Sequence, residues 1–175
     1  FYRIMKKFII KVSIYLMLIV LSLLLLDGLY TTIYSNSNYK FRDISFVDAN
    51  TGWVIGYNIS LNRVDVLKTT NGGTVWSTSA IDLGASAANL EISNIWGVSA
   101  DVAYAAVFPK AAGVVGGIWQ TTNGGTTWVR QNTASYNGAD GASFANLVYF
   151  WDANNGVTMG DPSEGSFEIY TTTNG

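Results

Sequence analysis

The chain has 175 residues, enough for one domain of ordinary size, and a formal net charge of −2. Charged residues make up only 13% of it, against roughly 25% in an average globular domain. The sequence contains no Cys and no His. This excludes a disulfide framework, metal sites built on those residues and a Ser-His-Asp triad. The sequence has no basic patch of the kind that indicates nucleic-acid binding, and no motif in it indicates a cofactor.

The first predicted element is a segment that enters a membrane. A basic N-region, 1–11, carries Lys6, Lys7 and Lys11, and an apolar segment follows at 12–34, within which Val12 to Leu26 has no charge. About 20 apolar residues cross a bilayer as a helix. The positive-inside rule then places the N-region in the cytoplasm and the rest of the chain outside it.

Three interpretations of this segment remain open: an uncleaved anchor, a cleaved signal peptide and a buried core helix. An uncleaved anchor would hold the protein in the cell-envelope membrane, whereas a cleaved signal peptide would release it as a secreted protein. The long apolar core favours the anchor, and no A-x-A-like cleavage site follows Leu26. The linker from Ser35 to Tyr39 is short, so an artificial junction between two unrelated sequences is a further alternative.

The rest of the chain is a repeat with a period of about fifty residues. The string TTNGGTVW at 69–76 recurs as TTNGGTTW at 121–128 and begins again as TTNG at 172–175. A second string, FVDANTGWV at 46–54, recurs in phase as FWDANNGVT at 150–158, with a weaker copy at 98–105. Two motifs that share one period indicate a structural repeat.

Each repeat predicts four short antiparallel strands. In the first repeat these are Lys40–Val47, Gly52–Ile59, Arg63–Thr69 and Thr74–Ile81. Four-stranded units of this length are typical of propeller blades, which stack on their neighbours. The sequence thus predicts an all-β, incomplete β-propeller of about 2.7 blades, with blade 1 at 40–89, blade 2 at 90–142 and a partial blade 3 at 143–175.

The first repeated string predicts an anchored tight turn. Asn tolerates left-handed backbone angles and can bond its own backbone two residues on, and Gly accepts positive φ. The Thr hydroxyl can cap the turn, and the Trp would cover the hairpin. The structural residues of the turn are therefore Thr69, Asn71, Gly73 and Trp76, then Thr121, Asn123, Gly125 and Trp128, then Thr172 and Asn174.

This turn, Thr-x-Asn-x-Gly-x-x-Trp, resembles the Asp-box of bacterial neuraminidase (BNR) repeats, with Asn in place of the usual Asp. The first repeat looks most like propellers related to the photosystem II stability/assembly factor. The third looks like secreted Bacteroidetes propellers that use type IX secretion. The resemblance covers about 40–175, and in such proteins the box is structural and remote from catalysis.

A sialidase-like glycosidase is the enzymatic alternative. The resemblance implies three substrate-binding arginines, a Tyr–Glu nucleophile pair and an Asp acid. The repeats hold three arginines, Arg42, Arg63 and Arg130. Arg63 and Arg130 lie beside the repeated turns, however, where we expect the outer part of a blade and not the central channel. We therefore assign no catalytic residue and no metal ligand. We expect an exported, non-enzymatic propeller that binds a protein or glycan, assembly-factor-like by resemblance. The alternative is a fragment of a polysaccharide-active hydrolase whose catalytic blades are missing.

Candidate partner contacts lie in segments that break the repeat. Tyr136 and Asp140 lie in a non-repeating loop, and Asp161 and Glu164 belong to an acidic turn, which is either a solvated loop or a ligand contact. Asp48, Asp101 and Asp152 recur at the first turn of each repeat, where a capping role is expected. The aromatic residues of the repeat predict packing between blades, or else a sugar-binding face: Trp53, Trp96, Tyr104 and Trp151.

Overall fold

The computed structural model describes residues 36–136, 144–163 and 165–175. The predicted N-region and membrane segment, Asp140 and Glu164 lie outside these residues. The described part is all-β, as the sequence predicted, and forms three antiparallel sheets of four, four and three strands. Among the helices of this part, none is long and apolar enough to span a bilayer.

The sheets follow one another along the chain, and every hydrogen-bonded pair of strands is adjacent in sequence. The first sheet contains β1 (Tyr39–Phe46), β2 (Gly52–Asn58), β3 (Arg63–Thr69) and β4 (Ser77–Ala80). The second contains β5 (Leu90–Gly97), β6 (Ala103–Pro109), β7 (Gly116–Thr121) and β8 (Val129–Tyr136). The third contains β9 (Ala145–Phe150), β10 (Gly156–Ser163) and β11 (Ser166–Thr172).

The strands differ from the predicted ones in three places. β4 begins at Ser77 and not at Thr74, because the intervening residues belong to the preceding turn. A 3-10 helix at Gly84–Asn89 lies within the segment predicted as a loop. The predicted acidic turn is shorter than expected, since Pro162 pairs with Phe167 and Ser163 with Ser166.

Buried side chains lie between consecutive sheets. Trp53, Ile55 and Val66 of the first sheet join Ile92, Ile95 and other residues of the second in one cluster. A second cluster joins Tyr104, Ala106, Ile118 and Tyr136 of the second sheet to Val148 and Phe150 of the third. β2 and β6 are nearly continuous apolar runs, the pattern expected of a strand buried on both faces.

The first strands of the sheets are linked by polar contacts. Asn94 Nδ2 and Ile95 N donate to Asp43 Oδ2 at 2.7 and 2.8 Å, and Asn94 Oδ1 accepts from Val148 N at 2.9 Å. Arg42 forms an ion pair with Glu91. One amide side chain thus joins three sheets, which fixes their register along β1, β5 and β9.

Each first strand also carries a β-bulge at the same place in the repeat. The extra residues are Arg42 in β1, Ser93 in β5 and Asn146 in β9. A bulge re-aims the side chain of the extra residue and increases local twist. Here the re-aimed Arg42 meets Glu91, and Ser93 Oγ donates to Ala145 O of the next sheet at 2.5 Å.

Candidate functional site

The repeated turn is built as a network around one threonine hydroxyl. Thr69 Oγ1 accepts from Gly73 N at 2.9 Å and donates to Asn71 Oδ1 at 3.0 Å. Asn71 Oδ1 also accepts from Val75 N at 2.8 Å, so the amide bonds the backbone four residues on and not two. Gly72 and Gly73 have φ of 66° and 88°, a region that glycine enters at little cost.

The second copy of the turn repeats this network, and the third repeats its bond between Thr and Asn. Thr121 Oγ1 accepts from Gly125 N at 2.9 Å and donates to Asn123 Oδ1 at 3.1 Å. Thr172 Oγ1 donates to Asn174 Oδ1 at 3.0 Å. Each copy is also tied to the first turn of its own sheet, because Gly72, Gly124 and Gly175 donate to the carbonyls of residues 50, 101 and 154. These contacts are structural.

We expect Thr121→Val to lower the free energy of unfolding by about 1–3 kcal/mol, the cost of leaving a buried donor without its acceptor. Thr121 is 1% exposed, and valine keeps its shape while removing the acceptor of Gly125 N. The shift in the urea midpoint, followed by tryptophan fluorescence, measures this loss. Thr122→Val, next to it and exposed, is the matched control and should stay within about 0.5 kcal/mol of the parent. Equal shifts in both variants would refute the role of the hydroxyl.

The two complete turns place their tryptophans differently. Trp76 packs edge-on against Phe46 of its own sheet, with ring centroids 6.5 Å apart. Trp128 is 7% exposed and packs against Trp53 of the preceding sheet at 6.2 Å. The second tryptophan therefore joins two sheets, whereas the sequence predicted only a cover over its own hairpin.

The first turns are capped by side chains, but not by all three predicted aspartates. Asp48 Oδ1 accepts from Asn50 N and Thr51 N at 2.7 and 2.8 Å, and Asp152 Oδ1 accepts from the amides of residues 154 and 155 at 2.8 Å. In the second sheet the cap is Ser99 Oγ, which accepts from Asp101 N and Val102 N at 3.1 and 2.9 Å. The prediction for Asp101 was wrong. The residue of the second sheet that is equivalent to Asp48 and Asp152 is Ser99, two residues before Asp101.

These caps predict a pH dependence of stability. Amide donors lower the pKa of Asp48 and Asp152 below the ordinary carboxyl value of 3.8, chiefly the backbone of Asn50 for Asp48 and the side chain of Asn155 for Asp152. A lowered folded-state pKa adds stability above the unfolded-state pKa. That contribution is lost as the pH falls through the folded-state value.

The test is the urea midpoint between pH 6 and pH 2, at about half-unit steps spanning the ordinary carboxyl range. We expect the double variant Asp48→Ser, Asp152→Ser to show a shallower acid loss than the parent, because serine caps the equivalent turn at Ser99 without a charge. Asp101→Ser is the control, because Asp101 is exposed in the equivalent turn of the second sheet, where Ser99 and not the aspartate is the cap. An unchanged acid limb in the double variant would contradict the assignment.

The structure describes two of the four candidate partner contacts, Tyr136 and Asp161. Tyr136 is fully buried, and its hydroxyl hydrogen-bonds Thr158 Oγ1 at 2.8 Å. Burial raises the pKa of the Tyr136 hydroxyl to about 12. The prediction of a surface contact at Tyr136 was therefore wrong: β8 extends to this residue, and its ring faces the third sheet. Asp161 is half-buried, with its carboxylate accepting from Asn146 Nδ2.

The repeat aromatics divide into buried and exposed residues. Trp53 and Tyr104 are fully buried, and each donates to a turn of the next sheet: Trp53 Nε1 to Ser99 O at 3.0 Å, Tyr104 OH to Ala153 O at 2.8 Å. Trp96 Nε1 donates to Phe150 O at 2.8 Å. These three side chains join neighbouring sheets, the packing role that the sequence favoured.

Trp151 departs from this pattern and is 66% exposed. Its ring meets Tyr149 at 5.3 Å between centroids, and Tyr149 meets Trp96 at 4.3 Å. We call Trp96, Tyr149 and Trp151 the aromatic ladder. The ladder ends at the exposed first turn of the third sheet, beside Asn154. The sequence pointed to Trp96 and Trp151 separately but missed Tyr149. The equivalent position of the first sheet holds Ser45, so Tyr149 did not stand out as an aromatic residue of the repeat.

One buried carboxylate, that of Asp65, has a structural role within the first sheet. Asp65 is fully buried and accepts from Tyr39 OH, Asn58 Nδ2 and Arg63 Nε at 2.7 to 3.0 Å. Desolvation and the bond to this carboxylate raise the pKa of the Tyr39 hydroxyl. Within the described residues, no group of three or more Asp and Glu could hold a metal ion.

A cavity of about 280 Å³ lies between the second and third sheets. On one side it is lined by Ile118 and by residues of β8, and on the other by residues of β10 and β11 and by Gly175. Its lining is mixed, with Gln131, Thr133 and Thr171 beside Ala134 and Phe150. Of the two candidate partner contacts that the structure describes, neither Tyr136 nor Asp161 lines it.

The chain was also compared with known proteins. No protein-family model, no curated protein and no solved structure matches it.

Proposed function

We propose that the three sheets are successive Asp-box blades of a β-propeller, and that this exported scaffold binds a glycan without transforming it. The repetition of the same contacts supports the architecture. The turn network, the β-bulge and the polar links between first strands recur in consecutive sheets. Radial repetition of four-stranded sheets is how propellers protect their edges.

The observation that carries the binding function is the aromatic ladder. Trp151 is two-thirds exposed, so its ring surface can be buried by a bound partner. Trp and Tyr are enriched among the residues that contribute most to binding affinity at interfaces. Tyr149 and Trp96 hold the ring of Trp151 in place from behind. A rigid aromatic face of this kind can pack against the apolar face of a sugar ring.

Polar groups beside the ladder favour a glycan over a protein partner. Asp152, Asn154 and Asn155 are all exposed in the turn that follows Trp151, where Asn155 Nδ2 also donates to the Asp152 carboxylate. Carboxylate and amide groups have several hydrogen-bonding positions each, and the remaining ones can bond sugar hydroxyls. The non-enzymatic part of the proposal is supported by the carboxylates, because Asp43, Asp65 and Glu91 are engaged with neighbouring sheets or strands. A glycosidase needs two carboxylates that face one bond.

Export is proposed from the sequence alone, on the apolar segment 12–34 behind its lysines. It is consistent with glycan binding, because structural polysaccharides such as cellulose and chitin lie outside the cytoplasm.

The proposal is tested by retention of the full chain, in a mild detergent, on insoluble cellulose, chitin, xylan and pectin. We expect retention on at least one of them, and a loss of at least tenfold in affinity for Trp151→Ala. Phe167→Ala is the matched control, because Phe167 is also 66% exposed but lies outside the aromatic ladder.

Three outcomes would overturn the proposal. The first is no retention on any of the polysaccharides, and the second is equal retention of Trp151→Ala and the parent. The third is release of sugar during the incubation, which would favour the hydrolase instead.

A further inference from the structure

The turn between β2 and β3, which we call the apolar turn (59–62), carries two exposed aliphatic side chains. Ile59 is 47% exposed and Leu61 is 57% exposed. Hydrogen bonds order the turn, because Asn58 Oδ1 accepts from Leu61 N at 3.1 Å and the Tyr57 hydroxyl donates to Asn62 Oδ1. The turn thus holds a small apolar surface in a fixed position.

This surface belongs to the first sheet and not to the repeat. Ile59 N donates to Asn38 O at 2.8 Å, and the same main-chain bond recurs in the second and third sheets, where Lys110 N and Asp161 N are the donors, at 2.7 and 3.0 Å. The residue in the place of Ile59 is therefore charged in both later sheets. Because the repeat does not require an aliphatic residue here, the reason for Ile59 lies in the surroundings of the first sheet.

The apolar turn is tied to the residues that follow the predicted membrane segment. Ser60 Oγ donates to Asn38 Oδ1 at 3.4 Å, besides the bond from Ile59 to the same residue. Asn38 comes shortly after position 34, where the apolar segment ends in the sequence. An extended chain spans at most about 3.6 Å per residue, so the residues from 34 to 38 reach about 14 Å. The polar layer on each side of the hydrocarbon core is about 5–8 Å thick. A chain anchored by 12–34 thus keeps the apolar turn within reach of the bilayer surface.

The aromatic ladder lies at the other end of the strands. The apolar turn follows β2, whereas Trp151 lies in a first turn, which corresponds to the turn before β2 in the first sheet. Consecutive first strands run in the same direction, because their contacts advance together: Asp43 and then Ser45 bond residues 95 and 97, and Asn94 and then Trp96 bond residues 148 and 150. Equivalent turns of the three sheets therefore lie at the same end.

We propose that the apolar turn is a membrane-contact surface: Ile59 and Leu61 enter the interface of the bilayer that anchors the chain, and the aromatic ladder is thereby presented away from that bilayer. The proposal rests on the export proposed above, with the apolar segment left uncleaved. Apolar side chains at such a surface sink about 5–10 Å into the boundary between headgroups and acyl chains. Tyr57, at the base of the turn, suits the headgroup level, where tyrosine is enriched. Arg63, which follows the turn, is half exposed and offers donors to lipid phosphates.

Quenching by labelled lipids measures this contact in the full chain. The sequence has no Cys, so Ser60→Cys gives a single thiol in the apolar turn for an NBD fluorophore. The labelled chain is reconstituted into vesicles of phosphatidylcholine and phosphatidylglycerol, with or without a nitroxide on the fifth acyl carbon. We expect the nitroxide to lower the emission at least about twofold, because the label lies at the depth of interfacial side chains. Asn50→Cys, in the exposed first turn at the other end of the same sheet, is the matched control and should keep its emission.

Two variants of the Ser60→Cys chain test the aliphatic side chains themselves. Ile59→Ser together with Leu61→Ser should reduce the quenching at least about twofold, because serine gains nothing by leaving water. Val75→Ser is the matched control, since Val75 is 63% exposed in the repeated turn at the other end of the first sheet. Its quenching should equal that of the parent.

Equal quenching at residues 60 and 50, or unchanged quenching in the double serine variant, would refute the contact. Flotation of the vesicles on a density gradient reports the anchor separately. A chain that floats without quenching at residue 60 refutes the contact of the apolar turn alone, whereas a chain that does not float refutes the anchor as well. Retention on polysaccharides is measured in detergent, so glycan binding stands or falls independently.

Discussion

Replacing Trp53 with alanine is expected to lower the free energy of unfolding by about 3–5 kcal/mol, the range for removing a large aromatic side chain from a core. The indole is fully buried, meets Trp128 edge-on at 6.2 Å and donates to Ser99 O at 3.0 Å. Lys68 Nζ lies 5.3 Å from the ring centroid. The variant therefore loses packing, an inter-sheet hydrogen bond and a cation–π contact together.

The urea midpoint at constant m-value measures this loss. Trp151→Ala is the control, since it removes the same side chain from an exposed position, and it should stay within about 0.5 kcal/mol of the parent. If both variants shifted the midpoint equally, the burial of Trp53 between the first two sheets would not be a source of stability.

The second large effect is expected from Gly97→Ala. A Cβ at Gly97 would lie 2.4 Å from Trp53 Cδ1 and 3.1 Å from Val47 Cγ2, so the indole would have to move. Overpacking of this kind costs about 1–3 kcal/mol. The backbone offers no relief, because Gly97 N donates to Ser45 Oγ of the first sheet at 3.0 Å.

A double-mutant cycle isolates the cause. In the Trp53→Ala background the space beside residue 97 is empty, and Gly97→Ala should then cost little, which gives a coupling of about 1–3 kcal/mol between the two sites. Additive effects would show that Gly97 is needed for its backbone conformation and not for the room it leaves the indole.

The sequence was sufficient for features that depend on neighbouring residues. The Thr and Gly residues of the repeated turn need only their local backbone, and the structure gives them the geometry that the pattern predicted. The hairpins of the first sheet were likewise predictable, because β1, β2 and β3 begin and end close to turn residues.

The packing role of Trp53, Trp96 and Tyr104 was predictable, but the partner that each side chain meets across two sheets was not. Phe46, Gly97 and Phe150 occupy one position of the repeat, and nothing local explains why the middle one is glycine. The reason is the preceding sheet: Gly97 faces the large indole of Trp53, whereas Phe150 stacks on the smaller ring of Tyr104 at 3.5 Å. The size of the side chain at this position is therefore matched to the residue that it faces on the preceding sheet, and not to its neighbours within its own repeat.

The candidate site shows the same division. Tyr136 looked like a loop residue because it follows the last regular position of the second repeat, but β8 continues through it into the core. The aromatic ladder depends on Tyr149, which comes beside Trp96 only when the second and third sheets pack together. In the sequence, Tyr149 is only an aromatic residue two positions before Trp151. Its contact with Trp96 could not be inferred until the packing of the two sheets was known.

The link through Asn94 has a consequence for how such chains can change in length. Asp43 and Asn94 occupy one position of the repeat, and each accepts from the main chain of the following sheet, at Ile95 N and Val148 N, whereas the third sheet has Leu147 at that position. Duplication of the first or second repeat would therefore create a sheet whose polar link to the next sheet already exists in the molecule. A copy of the third repeat would instead bring Leu147, whose side chain has no acceptor for that link.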